Sequence, residues 1–496
     1  MYTILFPIVV PILFGILMLL PEPEKRKNLT EAEKRTFYNI STGLVLIASG
    51  LGVLKVIFSA GEMVTLFTLH PKLPIILQAD GLGKLFALLV TIIWICGGFF
   101  AFSYMEHEKN VKRYFAFYLM SYGVLIGLDF SGNLITMYAF YELMTLCTFP
   151  LVIHNQSKEA VMAAMKYLLY SFFGAYMALF GIYFLVKYTN TLSFTPGGTL
   201  SALAQENQPL LLLITFLMLM GFGVKAGMFP VHGWLPTAHP AAPAPASAVL
   251  SAIIVKSGIL AMIRTVYYII GPDFIRNTWV QTLWLTLSLI TVFLGSMLAF
   301  QEKVLKKRLA YSTVSQVSYI IFGLALLNPI GMAGSFLHVA AHAMIKCTLF
   351  FVAGAIIYKT GYTKVDELDG IGKRMPVTMW CYTIASLGLI GIPPTGGFIS
   401  KWYLAGGALD SGIKIFSVAG PIVLLVSALL TAGYLLPISI KGFLPGEDFD
   451  GSTLKKCEPD KRMLVPIVIL TALSVLIGLF PNLLVQYFAG LISSFM

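Results

Sequence analysis

Charge is what this sequence has least of. Only 11% of its 496 residues are Asp, Glu, Lys or Arg, against about 25% in a soluble domain, which excludes a water-soluble globular chain. Cysteine is also scarce: Cys96, Cys147, Cys347, Cys381 and Cys457 follow no paired spacing, so neither a disulfide framework nor a zinc or iron–sulfur site is indicated. Four of them lie in apolar runs, where a free thiol behaves as a small apolar residue. A phosphate-binding loop is missing. The glycines of GFGVKAG, residues 221–227, lack the dinucleotide spacing and follow no strand. No nucleotide site, cofactor or metal is expected, and no catalytic chemistry is visible in the chain.

What the sequence has is hydrophobicity, 57% of residues. Runs of roughly 18 to 25 apolar residues are long enough to span a bilayer. Fourteen are placed near 2–20, 38–60, 84–105, 114–130, 133–153, 162–188, 209–231, 243–270, 278–300, 311–328, 332–358, 376–405, 415–440 and 463–493. Unpaired backbone groups are not tolerated in lipid, so these runs are expected as helices of an all-α integral membrane bundle. No basic residue precedes the first run and no small-residue cleavage site follows it, so it is expected to stay in the protein.

The net charge of +11 invites a nucleic-acid reading until the cations are placed. Loops after odd-numbered spans hold 22 Lys and Arg, and loops after even-numbered spans, with Lys187 at the edge of the sixth, hold four (Lys72, Lys187, Arg276 and Lys414). That asymmetry is the positive-inside pattern. It predicts a multi-pass protein with both termini on the non-cytoplasmic side and the lipid bilayer as its surroundings, and it leaves no case for nucleic acid.

Ionisable residues inside the runs cost about 2.5 to 3.5 kcal/mol each on insertion scales, so each needs a reason. Glu142 lies near the middle of the fifth run, where a short side chain cannot reach water; it is either a protonated hydrogen-bonding group or a proton carrier. Lys225 and Lys256 are flanked by apolar residues, and the competing reading for each is a side chain snorkelling to the interface. His338, His342 and Lys346 recur at i, i+4 and i+8, which puts them on one helical stripe. A shared metal is the rival there, but no third ligand is near and a lysine would repel a cation. Lys401 follows GIPPTGGFIS in a run broken by Pro393 and Pro394. The seventh run is broken in the same way by Pro230 and Pro236, beside Lys225. Matched breaks in two halves point to inverted repeats with a site at mid-membrane. The chain is accordingly divided into an N-terminal three-helix segment (1–113), a first repeat of helices 4 to 8 (114–270), a second of helices 9 to 13 (271–441) and a final helix (442–496).

Five stretches then carry a family resemblance. YELMTLCTFPLV, GFGVKAGMFPVHGWLPTAHPAAPAPASAVLSAIIVKSG, KKRLAYSTVSQVSY, HVAAHAMIKCTLFFVAGAI and GIPPTGGFISKW occur in matching order between about residues 80 and 440. They resemble the antiporter-like membrane subunits shared by respiratory complex I, Mrp-type multisubunit Na+/H+ antiporters and membrane-bound hydrogenases. The resemblance implies fourteen transmembrane helices with two inverted five-helix repeats and broken helices 7 and 12. It also implies a prokaryotic cell membrane and other membrane subunits as partners. By motif position, Glu142 is similar to the helix-5 glutamate, Lys225 to its helix-7 lysine partner and Lys256 to the helix-8 lysine. His338, His342 and Lys346 match the helix-11 stripe, and Lys401 the helix-12 outlet residue. The chain ends soon after the last run, which is similar to the D-type Mrp subunit or its hydrogenase counterpart.

The expected mechanism is an electrostatic relay. A Lys225–Glu142 contact at about 4 Å is worth on the order of 4 kcal/mol at an effective dielectric of 20. Lys225 keeps its proton while that pair is closed and loses it when the pair opens. The proton then moves by way of Lys256 and the helix-11 stripe to Lys401. Protons are the expected ion, with Na+ as a second candidate, driven by a partner subunit or an opposing ion gradient.

Overall fold

A computed structural model describes residues 3–22, 29–59, 61–70, 73–446 and 455–495. Among the described residues three helices come first: α1 (Phe6–Leu19), α2 (Glu31–Phe58) and α3 (Gly81–Tyr104). Between α2 and α3 the chain folds into an antiparallel ribbon, β1 (Met63–His70) with β2 (Leu73–Gln78). No strand was anticipated there. MVTLFTLH and LPIILQ are rich in β-branched and aromatic residues but too short to be told from loop by periodicity. The ribbon continues into the next connection, where Gln78 donates to the Phe130 carbonyl at 2.7 Å and Gly132 to that of Ile76 at 2.9 Å.

Next come α4 (Val111–Asp129), α5 (Leu134–Val152), α6 (Lys158–Tyr188), α7 (Gln208–Ala226), α8 (Leu235–Ala241) and α9 (Ala244–Ile270). The remaining helices are α10 (Trp279–Gln301), α11 (Leu305–Ala325), α12 (Pro329–Thr360), α13 (Pro376–Ile390), α14 (Gly396–Leu409), α15 (Lys414–Phe443), α16 (Lys461–Leu479) and α17 (Pro481–Ile492). Small polar side chains start many of them by satisfying first-turn N–H groups. Asp80 accepts from Gly83 at 2.9 Å, Asn133 from Thr136 at 2.8 Å and Asn328 from Gly331 at 2.8 Å.

Among the described residues, ten helices are long and apolar enough to cross a membrane, against fourteen expected runs. Three of the four differences have local causes. Helix α1 has 14 residues, about 21 Å of rise against a hydrocarbon core of about 30 Å. Polar residues interrupt α11 at Ser312, Thr313, Ser315, Gln316 and Ser318. The twelfth run is divided into α13 and α14, of 15 and 14 residues.

Helix α7 ends at Gly227, whose φ of 74° needs no Cβ, and α13 ends the same way at Gly391 with φ 91°. Pro230, Pro393 and Pro394 lie in the irregular segments that follow. Pro236 does not: it sits in the first turn of α8, where its missing N–H costs nothing. It starts a helix where a break was expected. Helices α9 and α12 are buried almost throughout, whereas α6 and α15 leave most of their length on the outside of the chain. The centre of the bundle is therefore α9, α11 and α12, with α7 and α14 against them.

The α13–α14 break rests on α16. A Cβ added at Gly478 would lie 2.1 Å from the Pro394 carbonyl oxygen and 2.4 Å from the Gly396 nitrogen, whereas one at Gly490 would meet nothing within 4 Å. Gly478→Ala is expected to cost about 1–3 kcal/mol, as overpacking does, read as a lower thermal-unfolding midpoint of the purified protein. Gly490→Ala should leave that midpoint unchanged.

Candidate functional site

In the first half the amine of Lys225 is fully buried in the last turn of α7. It donates to the Tyr167 hydroxyl at 2.8 Å and to the Ser171 hydroxyl at 3.1 Å, both on α6, and lies 4.4 Å from the Tyr167 ring centroid. Tyr167 continues to Thr148 of α5 at 2.7 Å. Thr148 in turn donates to the Met144 carbonyl, so the hydroxyls run in one direction away from the amine. Trp234, just before α8, donates to the Val224 carbonyl at 2.7 Å, where α7 stops and the Gly227 N–H gives that carbonyl only a long bond of 3.2 Å.

The expected Lys225–Glu142 ion pair is not made in this structure. Glu142 is only half-buried, on the outer side of α5 beside the exposed Leu143 and Leu146, and its Oε1 has no hydrogen-bond partner in the protein. Tyr167 and Ser171 occupy the amine instead.

In the centre, the stripe on α12 is fully buried. Lys256 of α9 approaches His342 Nδ1 at 2.7 Å and the Ser251 carbonyl at 3.3 Å. That carbonyl belongs to a π-helical turn, Leu250–Ile254, whose bonding leaves acceptors off the regular ladder. Lys346 donates to the Leu309 carbonyl at 3.0 Å and to the Ser312 hydroxyl, both on α11. Between α7 and α9 the packing is close at Gly258, where a Cβ would sit 2.6 Å from the Phe222 carbonyl and 3.1 Å from the Lys225 Cβ. No hydrogen bond joins Lys225 to Lys256.

On the far side, the His338 ring stacks on His342 at 5.7 Å and on Tyr319 of α11 at 5.5 Å. Its Nδ1 lies 2.9 Å from Ser400 Oγ. The Ser400 hydroxyl hydrogen goes to the Gly397 carbonyl at 3.0 Å, so Nδ1 carries the imidazole hydrogen and Nε2 is left as a lone pair in the neutral ring. Lys401 reaches back across the break. It donates to the Leu389 and Ile390 carbonyls at 2.6 and 2.9 Å and sits 5.0 Å from the Tyr319 centroid. Those are the last carbonyls of α13, at the negative end of its dipole.

The structure thus brings Lys256, His342, His338 and Lys401 into one line with Lys346 beside it, while Lys225 and Glu142 form a separate group in the other half. Among the described residues no lysine of this set lies within ion-pair distance of a carboxylate. Nor, among the same residues, is any group of three or more His, Cys, Asp or Glu placed to hold a metal ion.

Two further groups were not picked out from the sequence. Lys306, counted among the loop charges after the ninth run, is buried; it donates to the Pro240 and Ala242 carbonyls at 3.2 and 2.5 Å. His239 of α8 is fully buried with neither ring nitrogen bonded, its ring stacked on Phe350 at 5.1 Å. Glu108, in the connection before α4, lies near Lys306; burial pushes its carboxyl above the ordinary value while the Lys306 charge pulls it down. The signal for Lys306 was present. KKR opens a helix, and its first lysine faces the end of α8.

These features define an integral membrane bundle with a buried line of titratable groups. Residues 131–431 match the family described as "NADH:quinone oxidoreductase/Mrp antiporter, TM", and the chain belongs to that family. It is 31% identical over 456 residues to the "NADH-quinone oxidoreductase subunit N" of Desulforudis audaxviator, covering 89% of each chain. It is 29% identical over 478 residues to the D-type subunit of the Na(+)/H(+) antiporter of Bacillus subtilis, covering 96% of this chain and 93% of that one. Its fold is similar to a chain in the solved Mrp complex of a Dietzia species, with a TM-score of 0.84 at 22% identity over 100% of this chain and 97% of that chain.

Replacing Lys306 by Met removes both donors to the end of α8 and leaves the Pro240 and Ala242 carbonyls buried. The expected cost is about 1–3 kcal/mol, seen as a lower unfolding midpoint, whereas Lys303→Met at an exposed position should be neutral.

Proposed function

We propose that this chain is a proton-translocating antiporter-like subunit, of the D type, in an Mrp-like cation/proton antiporter. The observation that carries the reading is the contact of Lys256 with His342 Nδ1 at 2.7 Å, continued by His338 and Ser400 to Lys401. An amine and an imidazole at that distance can exchange one proton with little heavy-atom movement. The acceptor set elsewhere on the line is neutral, made of hydroxyls and carbonyls, and suits amines that alternate between charged and uncharged forms.

On this reading all fourteen runs cross the bilayer. Helices α4 to α9 form the first repeat (114–270) and α10 to α15 the second (271–441). Both termini lie on the outer face of a prokaryotic cell membrane. Glu142 gates Lys225: the amine keeps its proton when the carboxylate moves in, and passes it towards Lys256 when the carboxylate withdraws. The partly exposed position of Glu142 on the outer side of α5, with Oε1 buried and unbonded, supports a neighbouring membrane subunit as the element that moves it, because an unpaired carboxylate within the membrane is costly. Protons are the ion of this chain, and Na+, where carried, uses backbone carbonyls or a partner.

A second reading has its own support. The relative named as subunit N of an NADH-quinone oxidoreductase is 31% identical over 89% of this chain. In that case the same relay pumps protons within a redox-driven complex or a membrane-bound hydrogenase.

The test is ion-driven pH change in inverted membrane vesicles holding the whole complex. Lys225→Ala and Glu142→Gln are each expected to abolish the Na+-driven signal, with assembly unchanged on a native gel. Retained transport in both would show that these charges only hold helices together. A signal driven by an electron donor and not by a Na+ gradient would favour the second reading.

A further inference from the structure

One buried carboxylate stands outside the line described above. Asp129, the last residue of α4, is 2% exposed, and its Oδ2 has no hydrogen-bond partner in the protein. At the end of an apolar run it reads as a boundary charge, yet the structure encloses it. The β1–β2 ribbon does this: Phe130 and Gly132, the residues around the next turn, are tied to Gln78 and Ile76. Gly83 closes the other side. A Cβ there would lie 2.2 Å from the Asp129 carbonyl oxygen and 3.1 Å from Asp80 Oδ1, so only glycine lets α3 and the end of α4 meet.

Gly83 thus sets Asp80 beside Asp129, and the cation of this corner is Arg264, in the π-helical end of α9. That guanidinium is committed elsewhere. It binds Asp80 at both oxygens, 2.5 and 2.7 Å, and is held between the rings of Phe194 and Tyr268, each 4.5 Å away. Asp80 also accepts from the Gly83 N–H, and its side chain is 27% exposed. The other titratable neighbours are Tyr122 on the same helix as Asp129 and Tyr487 of α17 near Asp80. Two carboxylates therefore face one guanidinium, which can make its bidentate contact with only one of them. The one left out is buried, and an unpaired buried carboxylate is far more costly than a protonated one. A metal cation is disfavoured beside the arginine.

We propose that Asp129 is a proton-holding terminal of the relay on the base-poor face, exchanging with the medium through Asp80 and switched by Arg264. While Arg264 holds Asp80, Asp129 keeps a proton on its carboxyl. When the guanidinium turns to Asp129, that proton leaves as H+ by way of the exposed edge of Asp80, and Asp129 remains as the carboxylate paired with Arg264. Helix α9 carries both Lys256 and Arg264, eight residues and about 12 Å apart along one axis, so a shift of that helix moves both ends together. The inference rests on the proton-relay reading of this chain.

The experiment pairs infrared difference spectra of the intact complex, labelled with 13C-aspartate, with the vesicle assay. A protonated carboxylic C=O band that moves with the label is expected in the wild type, lost in Asp129→Asn and kept in Glu142→Gln. Asp129→Asn is also expected to slow transport at least about tenfold, as loss of a proton-transfer group does, with assembly unchanged. Absence of the aspartic band in the assembled wild type overturns the proposal whatever the variants do. Transport within about twofold of wild type in Asp129→Asn, while Lys225→Ala abolishes it, overturns the outer terminal and leaves the relay standing. Transport unchanged in both variants overturns the relay reading, and the terminal with it.

Discussion

An ammonium group taken out of water loses several kcal/mol of solvation even after the protein relaxes. This bundle takes Lys225, Lys256, Lys306 and Lys346 out of water and partly buries Lys401. A carboxylate beside each would settle the charge and fix it. The structure instead surrounds them with hydroxyls, an imidazole and free carbonyls. Such acceptors hold the ammonium through hydrogen bonds, yet they impose no lasting penalty on a neutral amine. That choice of neutral partners is what the rest of the architecture provides for.

Inside a regular helix each carbonyl is already used four residues on, and Lys346 shares one such carbonyl, that of Leu309. For Lys401, Lys306 and Lys256 the acceptors have to be made. The stop of α13 at Gly391 frees the two that hold Lys401, the end of α8 frees those that hold Lys306, and the π turn of α9 offers one to Lys256. The stop of α7 leaves that of Val224 with only a long bond, Trp234 donates to it, and the indole then packs on the ring of Tyr167 that receives Lys225. The interruptions and the lysines are one arrangement. Close glycine contacts, Gly258 on α7 and Gly478 on the α13–α14 break, keep the interrupted segments from drifting apart.

Much of this was legible in the chain itself. Apolar run lengths placed the helices, and the spacing of His338, His342 and Lys346 placed them on one face because helical periodicity is rigid. Glycine and proline marked where α7 and α13 stop. Other features depend on contacts that no local pattern carries. Pro236 looks like Pro230 in sequence but starts a helix. Lys306 looks like its neighbour Lys307, and only packing against α8 separates a buried donor from a surface charge. The direct Lys225–Glu142 pair was expected from charge and motif position, whereas Tyr167 and Ser171, two ordinary residues of α6, take the amine. The β1–β2 ribbon was invisible because short apolar strands and loops share a composition, and with it went the enclosure of Asp129.

The central claim is that these buried amines change protonation as the protein works. The most direct measurement is the solid-state 15N spectrum of side-chain-labelled lysine in the intact complex, with and without an imposed ion gradient, assigned by Lys225→Ala and Lys256→Ala. The account predicts a neutral-amine population in at least one of these two lysines that changes when the gradient is applied. An ammonium signal for both, unchanged by the gradient, would contradict it.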